Sequence, residues 1–430
     1  MISKKIIVTN ATTQEDYMKL LKGNAVVGQS GGPTAAINAT LTGVIKGAYK
    51  AHTEGIIGTL YGMENGILGF CEERMYDLSQ IWDDKAQLDL LSTTPAAALG
   101  SCRKKLPSLS DTNGECEYEK ILSLFKKYDI RYFFYIGGND SMDTVAKLSA
   151  YTAKMGYEMR IIGVPKTIDN DLAGTDHTPG FGSAAKFVAT VCSEIVLDCA
   201  VYDIKAVTIV EIMGRDAGWL TAAAALPSAN GKNAPDLIYL PEHPFDMERF
   251  YSDIEELFKK KPNIVVAVSE GIRCADGKYV TEVMQSSELD VFGHKQLAGT
   301  GAFLAGAVKA KFGCKTRAVE LNLPQRCAAH ILSAYDIDEA IRIGMAAVKK
   351  ATSGISGRMI TVNRAENGKM SIGSKDVQKI ANAVRTVPAS YINDEGNYVT
   401  KECIDYLLPL VQGEKKLKYS NGTPVFFNFG

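Results

Sequence analysis

Residues 161–171 read Ile-Ile-Gly-Val-Pro-Lys-Thr-Ile-Asp-Asn-Asp, an apolar run that leads directly into a polar turn. A short apolar run bounded by turn-forming residues is typical of a strand buried inside a parallel sheet. We therefore predict a strand over residues 159–164. The turn behind it presents a lysine, a threonine and two aspartates to a ligand.

The same arrangement recurs four times along the chain. The other predicted strands are apolar, are each followed by residues that can form a ligand-facing turn, and cover residues 25–28, 132–136, 206–212 and 264–269. Longer stretches with helical periodicity separate them, which is the pattern of parallel strands joined by crossover helices. The predicted class is α/β. Because ligands of parallel sheets bind beyond the carboxyl ends of the strands, we expect functional side chains there.

Length and composition exclude several classes of protein. A chain of 430 residues exceeds what one hydrophobic core usually supports, so two domains are expected. Lys plus Arg (48) nearly balance Asp plus Glu (49), which indicates no nucleic-acid surface and requires a local cluster of cations for any anionic substrate. Residues 1–10 show no secretory signal and no segment is long and apolar enough for a membrane, so a cytoplasmic location is predicted.

The cysteines indicate neither a disulfide framework nor a zinc site. Nine are scattered along the chain without a Cys-x-x-Cys pair. An odd number without metal-ligand spacing is typical of a reducing compartment. We therefore predict reduced thiols in the core.

Two glycine turns follow predicted strands. Gly31 and Gly32 lie in the first, and the second reads Gly137-Gly138-Asn139-Asp140-Ser141. Glycines let backbone amides approach phosphate oxygens closely, and Asp140 and Ser141 can contact a metal-bound phosphate. Each turn also has a structural interpretation, as a tight strand-to-helix connection or a helix N-cap. The absence of the Lys-Ser/Thr pair of a Walker loop argues against an ordinary P-loop nucleotidase.

The turn after residue 164 is the most specific of the three. It places Asp169 and Asp171 two residues apart, with Lys166 three residues before the first. One carboxylate can accept a proton from an attacking hydroxyl while the other helps to position a magnesium shell. A turn rich in Asp and Asn is partly similar without any catalytic role. The two glycine turns elsewhere in the chain favour the chemical interpretation.

Taken together, these motifs resemble the phosphofructokinase family. The resemblance runs in order over residues 25–330 and rests on Ser30-Gly31-Gly32, Leu99-Gly100-Ser101-Cys102-Arg103, Gly137-Gly138, the turn 165–171, Met213-Gly214-Arg215, Glu270-Gly271 and Gln325-Arg326. It implies two doubly wound, Rossmann-like α/β/α domains with the active site in the cleft between them, assembled as a homodimer or homotetramer. We expect residues 1–179 with about 325–375 to form a phosphoryl-donor domain. Residues 180–324 with about 376–430 would form the sugar-phosphate domain.

The resemblance also implies the roles of individual residues. Asp169 would take the proton of the sugar 1-hydroxyl with support from Asp171, Thr167 would bond the transferred group or the substrate, and Arg103 would neutralise the migrating phosphoryl. The donor would contact Gly31, Gly32, Gly138, Asp140, Ser141 and Lys166. The sugar phosphate would contact Met213, Gly214, Arg215, Glu270 and Arg326, together with Arg317 reaching across a subunit interface.

Two positions predict the phosphoryl donor. Relatives that use ATP carry glycine where this chain has Asp140 and Lys166, whereas those that use pyrophosphate are similar to it at both. The Asp140 carboxylate would crowd and repel the α-phosphate of a nucleotide. Lys166 would pair with Asp140 and bind the leaving phosphate of pyrophosphate, so the two residues together would select against ATP.

The expected activity is a reversible, Mg²⁺-requiring transfer of phosphoryl from pyrophosphate to fructose 6-phosphate, giving fructose 1,6-bisphosphate. The alternatives are an ATP-dependent 6-phosphofructokinase and a non-catalytic regulatory homologue that binds phosphorylated metabolites. Asp140 and Asn139 are the candidate metal ligands, and Asn139 stands where the family usually has aspartate. Residues 321–326 lack the usual histidine or tyrosine of the sugar-binding segment, so sedoheptulose 7-phosphate is a plausible second substrate.

Overall fold

A computed structural model describes residues 20–111, 114–231, 233–282, 299–381 and 383–429 of the chain. Residues 1–10, on which the prediction of a cytoplasmic location partly depends, lie outside these ranges. Strands and helices alternate along most of the described chain, which confirms the predicted α/β class.

The strands are β1 (Gly23–Gln29), β2 (Ile57–Met63), β3 (Met75–Asp77), β4 (Ile130–Gly137), β5 (Arg160–Pro165), β6 (Ala206–Ile212), β7 (Leu237–Tyr239), β8 (Asn263–Ser269), β9 (Lys315–Glu320), β10 (Arg358–Arg364), β11 (Met370–Asp376), β12 (Tyr419–Ser420) and β13 (Thr423–Pro424). The α-helices are α1 (Ile37–Thr53), α2 (Gly66–Cys71), α3 (Lys85–Thr93), α4 (Glu115–Lys127), α5 (Asn139–Lys154), α6 (Phe181–Cys199), α7 (Trp219–Ala222), α8 (Met247–Phe258), α9 (Thr300–Phe312), α10 (Pro324–Cys327), α11 (Ala334–Thr352) and α12 (Lys401–Leu407).

The larger sheet has the strand order β11-β10-β5-β4-β1-β2-β3. Its inner pairs are parallel, and the antiparallel pairs β10/β11 and β2/β3 lie at its two edges. In the register of these strands, Gln29 is paired with Ile136 and Gly137 with Pro165. The carboxyl ends of β1, β4 and β5 are therefore level. The three turns that follow these strands therefore emerge side by side.

The smaller sheet has the order β7-β8-β6-β9 and its pairs are all parallel. Ile212 pairs with Ser269, which brings the segments after β6 and β8 to one edge. These segments begin with Met213 and Glu270, both predicted to contact the sugar.

Both faces of the larger sheet are buried. On β4, Phe134 and Ile136 pack into one core with α1 and α11, and the alternating Phe133 and Tyr135 pack into a second core with α4 and α5. A strand buried on both faces shows a continuous apolar run instead of alternation, as the sequence does here.

Glycines let helices α1 and α11 touch through their backbones. A Cβ atom at Gly43 would lie 2.1 Å from the carbonyl oxygen of Ile341, and one at Gly344 would lie 2.3 Å from that of Thr40. Any larger side chain at either position would force the helices apart. This close contact fixes α11 against the larger sheet.

The strands of the larger sheet come from residues 23–165 and 358–376, and those of the smaller sheet from residues 206–320. Close to the C-terminus, Phe427 and Phe429 pack against the core that contains α1 and α11. This last segment thus contacts the larger-sheet side, although it belongs to the range predicted for the sugar-phosphate domain. The domain boundaries themselves stay a prediction.

None of the helices in the described residues is long and apolar enough to cross a membrane. All nine cysteines are free thiols, of which Cys71, Cys102, Cys192 and Cys403 are buried. Cys116 and Cys327 are exposed, so the prediction that the cysteines lie in the core is wrong for these two. Both stand in polar surroundings, beside Glu115 and Arg326, that the spacing of cysteines does not reveal.

Candidate active site

The carboxyl ends of the two sheets open into a cleft of about 520 Å³. Its lining includes fifteen of the residues that the sequence singles out, namely Gly31, Gly32, Arg103, Gly138, Asn139, Asp140, Ser141, Lys166, Thr167, Asp169, Asp171, Met213, Arg215, Glu270 and Arg326. Most of them follow strands of the two sheets, whereas Arg103 lies in the loop after α3 and Arg326 lies in α10. The cleft thus lies where parallel sheets usually bind their ligands.

The turn with the two aspartates is strained at its centre. Asn170 has φ = 54°, a left-handed conformation that asparagine tolerates better than most residues. Its side chain is fully buried, accepts a hydrogen bond from Thr178 N (3.1 Å) and donates one to the Tyr406 hydroxyl (3.1 Å). With Asn170 anchored beneath the turn, Asp169 and Asp171 on either side both face the cleft.

The two carboxyl groups influence one another. Burial raises the pKa of Asp169, although the Thr167 hydroxyl, which donates to Oδ2 at 3.3 Å, and the charges of Lys166 and Arg215 act in the opposite direction. Burial also raises the pKa of Asp171, and the nearby charge of Asp169 adds to this. A carboxylate with a raised pKa is a stronger base than a solvated one, which suits proton abstraction near neutral pH.

Asn139, in the second glycine turn, contacts the turn that carries the aspartates. Its Nδ2 donates to Asp171 Oδ2 at 3.0 Å, while its Oδ1 is buried without a hydrogen-bond partner in the described protein. A buried oxygen left unpaired beside a carboxylate suits a hard cation or a water bound to one. Among the described residues, no group of three or more His, Cys, Asp and Glu side chains gathers as a protein-only metal site would.

The second glycine turn does not cap its helix through a side chain. The N-cap of α5 is Gly138, and within the described part of the chain no side-chain hydrogen bond caps this end. Asp140 Oδ1 instead forms an ion pair with Lys105 Nζ at 3.1 Å, and both side chains are about half exposed. The structural interpretation, in which Asn139, Asp140 or Ser141 is the N-cap of this helix, is therefore wrong.

Lys166 lies under the first glycine turn. Its side chain is buried, and its Nζ donates to the carbonyl oxygens of Ser30 (3.0 Å) and Gly32 (2.5 Å). Burial lowers its pKa to about 7, with the charges of Arg103 and Arg326 acting in the same direction and that of Asp169 against it. The expected pairing with Asp140 is therefore wrong, because the carbonyl groups of the turn take the ammonium protons and Asp140 has Lys105.

Two arginines converge over the same turn. A Cβ atom at Gly32 would lie 3.4 Å from Arg326 Nη1 and 3.9 Å from Arg103 Nη2. Burial and the charge of Arg103 lower the pKa of Arg326, whose Nε is buried without a hydrogen-bond partner in the described protein. Like charges held together in this way favour an anion between them, and the planar guanidinium suits phosphate.

The turns of the smaller sheet are joined to one another. Glu270 accepts a hydrogen bond from Gly214 N at 3.3 Å, and burial raises the pKa of its carboxyl group to about 7. Gly214 has φ = 135°, and a Cβ atom there would lie 2.6 Å from the carbonyl oxygen of Ala217. Gln325 accepts from Met213 N at 3.1 Å, which connects the helix of Arg326 to this side of the cleft.

Two predicted residues do not line the cleft in the described part of the chain: Gly214 lies directly behind Glu270, and Arg317 lies elsewhere on the protein. Arg317 lies on β9, is 55% exposed and stands 4.0 Å from Asp198, away from the cleft as the described residues form it. The nearby surface carries exposed apolar side chains, at Leu197, Val201, Tyr202 and Ile204.

The cleft also contains residues that the sequence reasoning missed. Lys104 and Lys105 line it directly after Arg103, and this run of three cations is a signal that was available. Asp216 lines it after Arg215 and pairs with Arg273 at 3.0 Å. Val384 comes from the C-terminal part of the chain, and nothing local in the sequence points to it.

Glycine turns and convergent arginines that face paired aspartates, in a cleft between two mainly parallel sheets, define a two-domain α/β phosphotransferase. Residues 24–351 match the family model described as phosphofructokinase. The chain belongs to the phosphofructokinase family.

Three of its relatives are similar to this chain over almost their whole length. The pyrophosphate–fructose 6-phosphate 1-phosphotransferase of Halomonas elongata is 40% identical over 405 residues, which cover 93% of this chain and 94% of the relative. The enzyme of the same name from Xanthomonas campestris is 40% identical over 412 residues, covering 95% and 96%. The crystal structure of a pyrophosphate-dependent phosphofructokinase from Nitrosospira multiformis superposes with a TM-score of 0.83 at 37% identity, covering 94% of this chain and 96% of that one.

Proposed function

We propose that this protein transfers a phosphoryl group reversibly between pyrophosphate and the 1-hydroxyl of fructose 6-phosphate. One observation carries the proposal: Asp140 and Lys166 lie in the same cleft as Asp169, Asp171 and Arg103. The names of the relatives from Halomonas elongata and Xanthomonas campestris support the same substrates. With phosphorylated substrates of this kind, we place the reaction in the cytoplasm.

The proposed step begins with Asp169 as the base. The 1-hydroxyl oxygen attacks the nearer phosphorus of pyrophosphate, its proton passes to the Asp169 carboxylate, and the bridging P–O bond breaks to release inorganic phosphate. Phosphoryl transfer has a loose transition state, so positioning and charge stabilisation supply most of the catalysis. Thr167 orients Asp169 through its hydroxyl, and Arg103 stabilises the charge of the migrating group.

The sugar side of the cleft orients the acceptor. Glu270 would accept hydrogen bonds from sugar hydroxyls, with Met213, Gly214 and Arg215 bordering the sugar. Arg326 is the proposed ligand of the 6-phosphate. Because Arg326 and Arg103 meet over Gly32, the 6-phosphate of the sugar and the migrating phosphoryl group would be bound within one region of positive charge. Sedoheptulose 7-phosphate, which has the same reacting end, is a second proposed substrate.

Phosphotransferases of this family generally need a divalent cation, and we propose Mg²⁺. The oxygen atoms present fit this ion, since Asn139 Oδ1 is buried with no hydrogen-bond partner among the described residues and the Asp171 carboxylate lies beside it. Asn139 and Asp171 would hold the ion, with Asp140 less well placed because it pairs with Lys105. Bound there, the ion would neutralise charge on the phosphate oxygens.

Donor selectivity follows from the positions of Lys166 and Asp140. Lys166 holds the glycine turn in the form that receives pyrophosphate, and its charge attracts the leaving phosphate. The Asp140 carboxylate stands at the rim of the donor side, where a nucleotide would bring its α-phosphate. Repulsion there disfavours ATP.

We further propose a homodimer or homotetramer in which Arg317 binds the sugar phosphate of a neighbouring subunit. The exposed apolar side chains at Leu197, Val201, Tyr202 and Ile204 beside Arg317 support an interface on this surface. Light scattering on the purified protein measures the assembly. A monomer that turns over at the full rate would contradict this proposal.

The proposed reaction is tested by ³¹P NMR. Purified protein with Mg²⁺, pyrophosphate and fructose 6-phosphate should produce fructose 1,6-bisphosphate and inorganic phosphate, and the reverse mixture should regenerate pyrophosphate. An Asp169→Asn variant of the same preparation is the control for contaminating activity. Absence of both products at all Mg²⁺ concentrations would refute the proposed function.

A further inference from the structure

Residues 384–406 pack against the turn that carries the two aspartates. Val384 forms an antiparallel bridge with Leu172, and Arg385 N donates to the carbonyl oxygen of Asp171 at 2.7 Å. The side chain of Val384 lines the cleft. A short piece of the C-terminal segment is thus held alongside the turn by one β-bridge and one backbone hydrogen bond.

The side chain of Arg385 binds the same turn from below. Its Nη1 donates to the carbonyl oxygen of Asn170 at 3.2 Å, and its Nη2 donates to the Tyr406 hydroxyl at 3.1 Å. Its guanidinium lies 4.1 Å from the centre of the Trp219 ring. Arg385 therefore bonds the peptide groups of both Asn170 and Asp171 while the indole holds it in place.

The Tyr406 hydroxyl is at the centre of this network. It donates to the carbonyl oxygen of Asp176 at 2.7 Å and accepts from Asn170 Nδ2 (3.1 Å) and Arg385 Nη2 (3.1 Å). A phenol has one proton to donate and a limited capacity to accept hydrogen bonds. These three partners therefore use the whole hydrogen-bonding capacity of the hydroxyl. The hydroxyl has one satisfied arrangement, which fixes Asn170.

Asn170 needs this support because its backbone is left-handed. A non-glycine residue in that conformation persists only where its surroundings hold it there. Rotation of Asn170 toward an ordinary conformation would redirect Asp169 and Asp171, one on each side of it. The network behind the turn thus determines where the two carboxylates point.

The same segment is also hydrogen-bonded to the sugar side of the cleft. Trp219 Nε1 donates to the carbonyl oxygen of Arg385 at 3.0 Å. Glu242 accepts from both Val387 N and Gly218 N at 2.9 Å. Trp219 and Gly218 follow the turn of Met213 and Arg215, so one short segment is joined to the turns of both sheets.

We infer that residues 384–406 are a positioning element of the active site, in which Arg385 and Tyr406 hold the turn of Asp169 and Asp171 in its reactive form. The inference rests on the proposed function for its kinetic consequences. It gives a role to the part of the chain that lies beyond the recognisable motifs. Its structural part is independent of which substrates bind.

Tyr406→Phe tests the inference because it removes only the hydroxyl. The matched control is Tyr391→Phe, which alters a ring 5.8 Å from that of Tyr406 in the same aromatic cluster. Deuterium exchange over residues 168–172 should become faster in Tyr406→Phe and stay unchanged in Tyr391→Phe. Since small displacements of reacting groups cost large factors in rate, kcat should fall about tenfold. KM for both substrates should stay within about twofold, because the binding groups remain.

Unchanged exchange over residues 168–172 together with an unchanged kcat in Tyr406→Phe would overturn the inference. If the wild type shows no turnover with pyrophosphate, the proposed function fails and exchange alone decides the role of this segment. If Tyr406→Phe does not fold, Arg385→Lys replaces it, since it keeps the charge and loses the two directed bonds. The same exchange and kcat criteria then apply.

Discussion

The ammonium group of Lys166 donates to the carbonyl oxygen of Gly32 at 2.5 Å. This contact joins the turn after β5 to the turn after β1 and places a buried positive charge under the loop over which Arg103 and Arg326 converge. Lys166 therefore acts on the donor side in two ways, as a support for the loop and as a charge. Both are lost together when the lysine is replaced.

Lys166→Met should lower kcat/KM for pyrophosphate on the order of 10²-fold to 10³-fold, since preorganised charge in a buried site is worth this much. Binding of fructose 6-phosphate, measured by calorimetry, should change little. Lys105→Met, at the half-exposed rim of the same cleft, is the control and should have a smaller effect. Equal losses in the two variants would show that the buried contact with Gly32 has no special role.

Asp169→Asn should lower kcat on the order of 10²-fold to 10⁴-fold while leaving KM for both substrates nearly unchanged, because the amide cannot accept the proton of the hydroxyl. Steady-state kinetics in the forward direction measure this. Asp216→Asn provides the comparison, since Asp216 also lines the cleft but pairs with Arg273. If Asp169→Asn retains most of its turnover, another group is the base.

Asp140→Gly combined with Lys166→Gly should raise the ratio of ATP to pyrophosphate efficiency. Removal of the carboxylate at the donor rim relieves repulsion of a nucleotide, while loss of the lysine weakens the binding of pyrophosphate. The two single variants show which change contributes more. A ratio unchanged from the wild type in the double variant would refute the repulsion argument.

His177 forms a buried ionic cluster behind the cleft. Its Nδ1 bonds Asp176 Oδ1 at 2.7 Å and its Nε2 bonds the Glu339 carboxylate. Burial alone would lower its pKa, but the two hydrogen bonds raise it from 6.5 to about 9. Burial alone would raise the pKa of Asp176. Hydrogen bonds from His177 and Arg364 instead lower it from 3.8 to about 2.

The sign of each shift sets a pH window for stability. The raised pKa of His177 contributes stability that is complete below about pH 6.5 and is lost as pH rises through about 9. The lowered pKa of Asp176 contributes stability that is complete above about pH 3.8 and is lost as pH falls through about 2. Both contributions are therefore complete between about pH 4 and pH 6.5.

His177→Gln should remove the dependence of folding stability on pH at alkaline pH. The histidine shift corresponds to on the order of 3 kcal/mol, so the free-energy difference between wild type and variant should shrink by that order between pH 6.5 and 9.5. Urea unfolding at several pH values measures it. A difference between wild type and variant that is constant over this range would show that folding does not raise the pKa of His177.

Much of the fold follows from local pattern. The five predicted strands correspond to β1, β4, β5, β6 and β8, and the prediction for β6 has the same bounds as the structure. These strands are buried on both faces, so their apolar runs are continuous. The strand β9 was missed because Lys315–Glu320 is a largely exposed edge strand with charged residues along it.

The composition of the cleft was also largely predictable, because parallel strands bring the turns after them to one edge. The partners of individual side chains were not. Lys166 bonds carbonyl groups, which sequence does not distinguish, and Asn170 is more than 200 residues from Arg385 and Tyr406 along the chain. Such contacts depend on tertiary packing, and no periodicity or motif marks them.

The preference for pyrophosphate over ATP is measured by the catalytic efficiency with each donor. Initial rates with fructose 6-phosphate and Mg²⁺ give kcat/KM for pyrophosphate and for ATP on the same preparation. We expect an efficiency with pyrophosphate at least about 10²-fold above that with ATP, because of charge repulsion at Asp140 and the contribution of Lys166. An equal or higher efficiency with ATP would contradict this expectation.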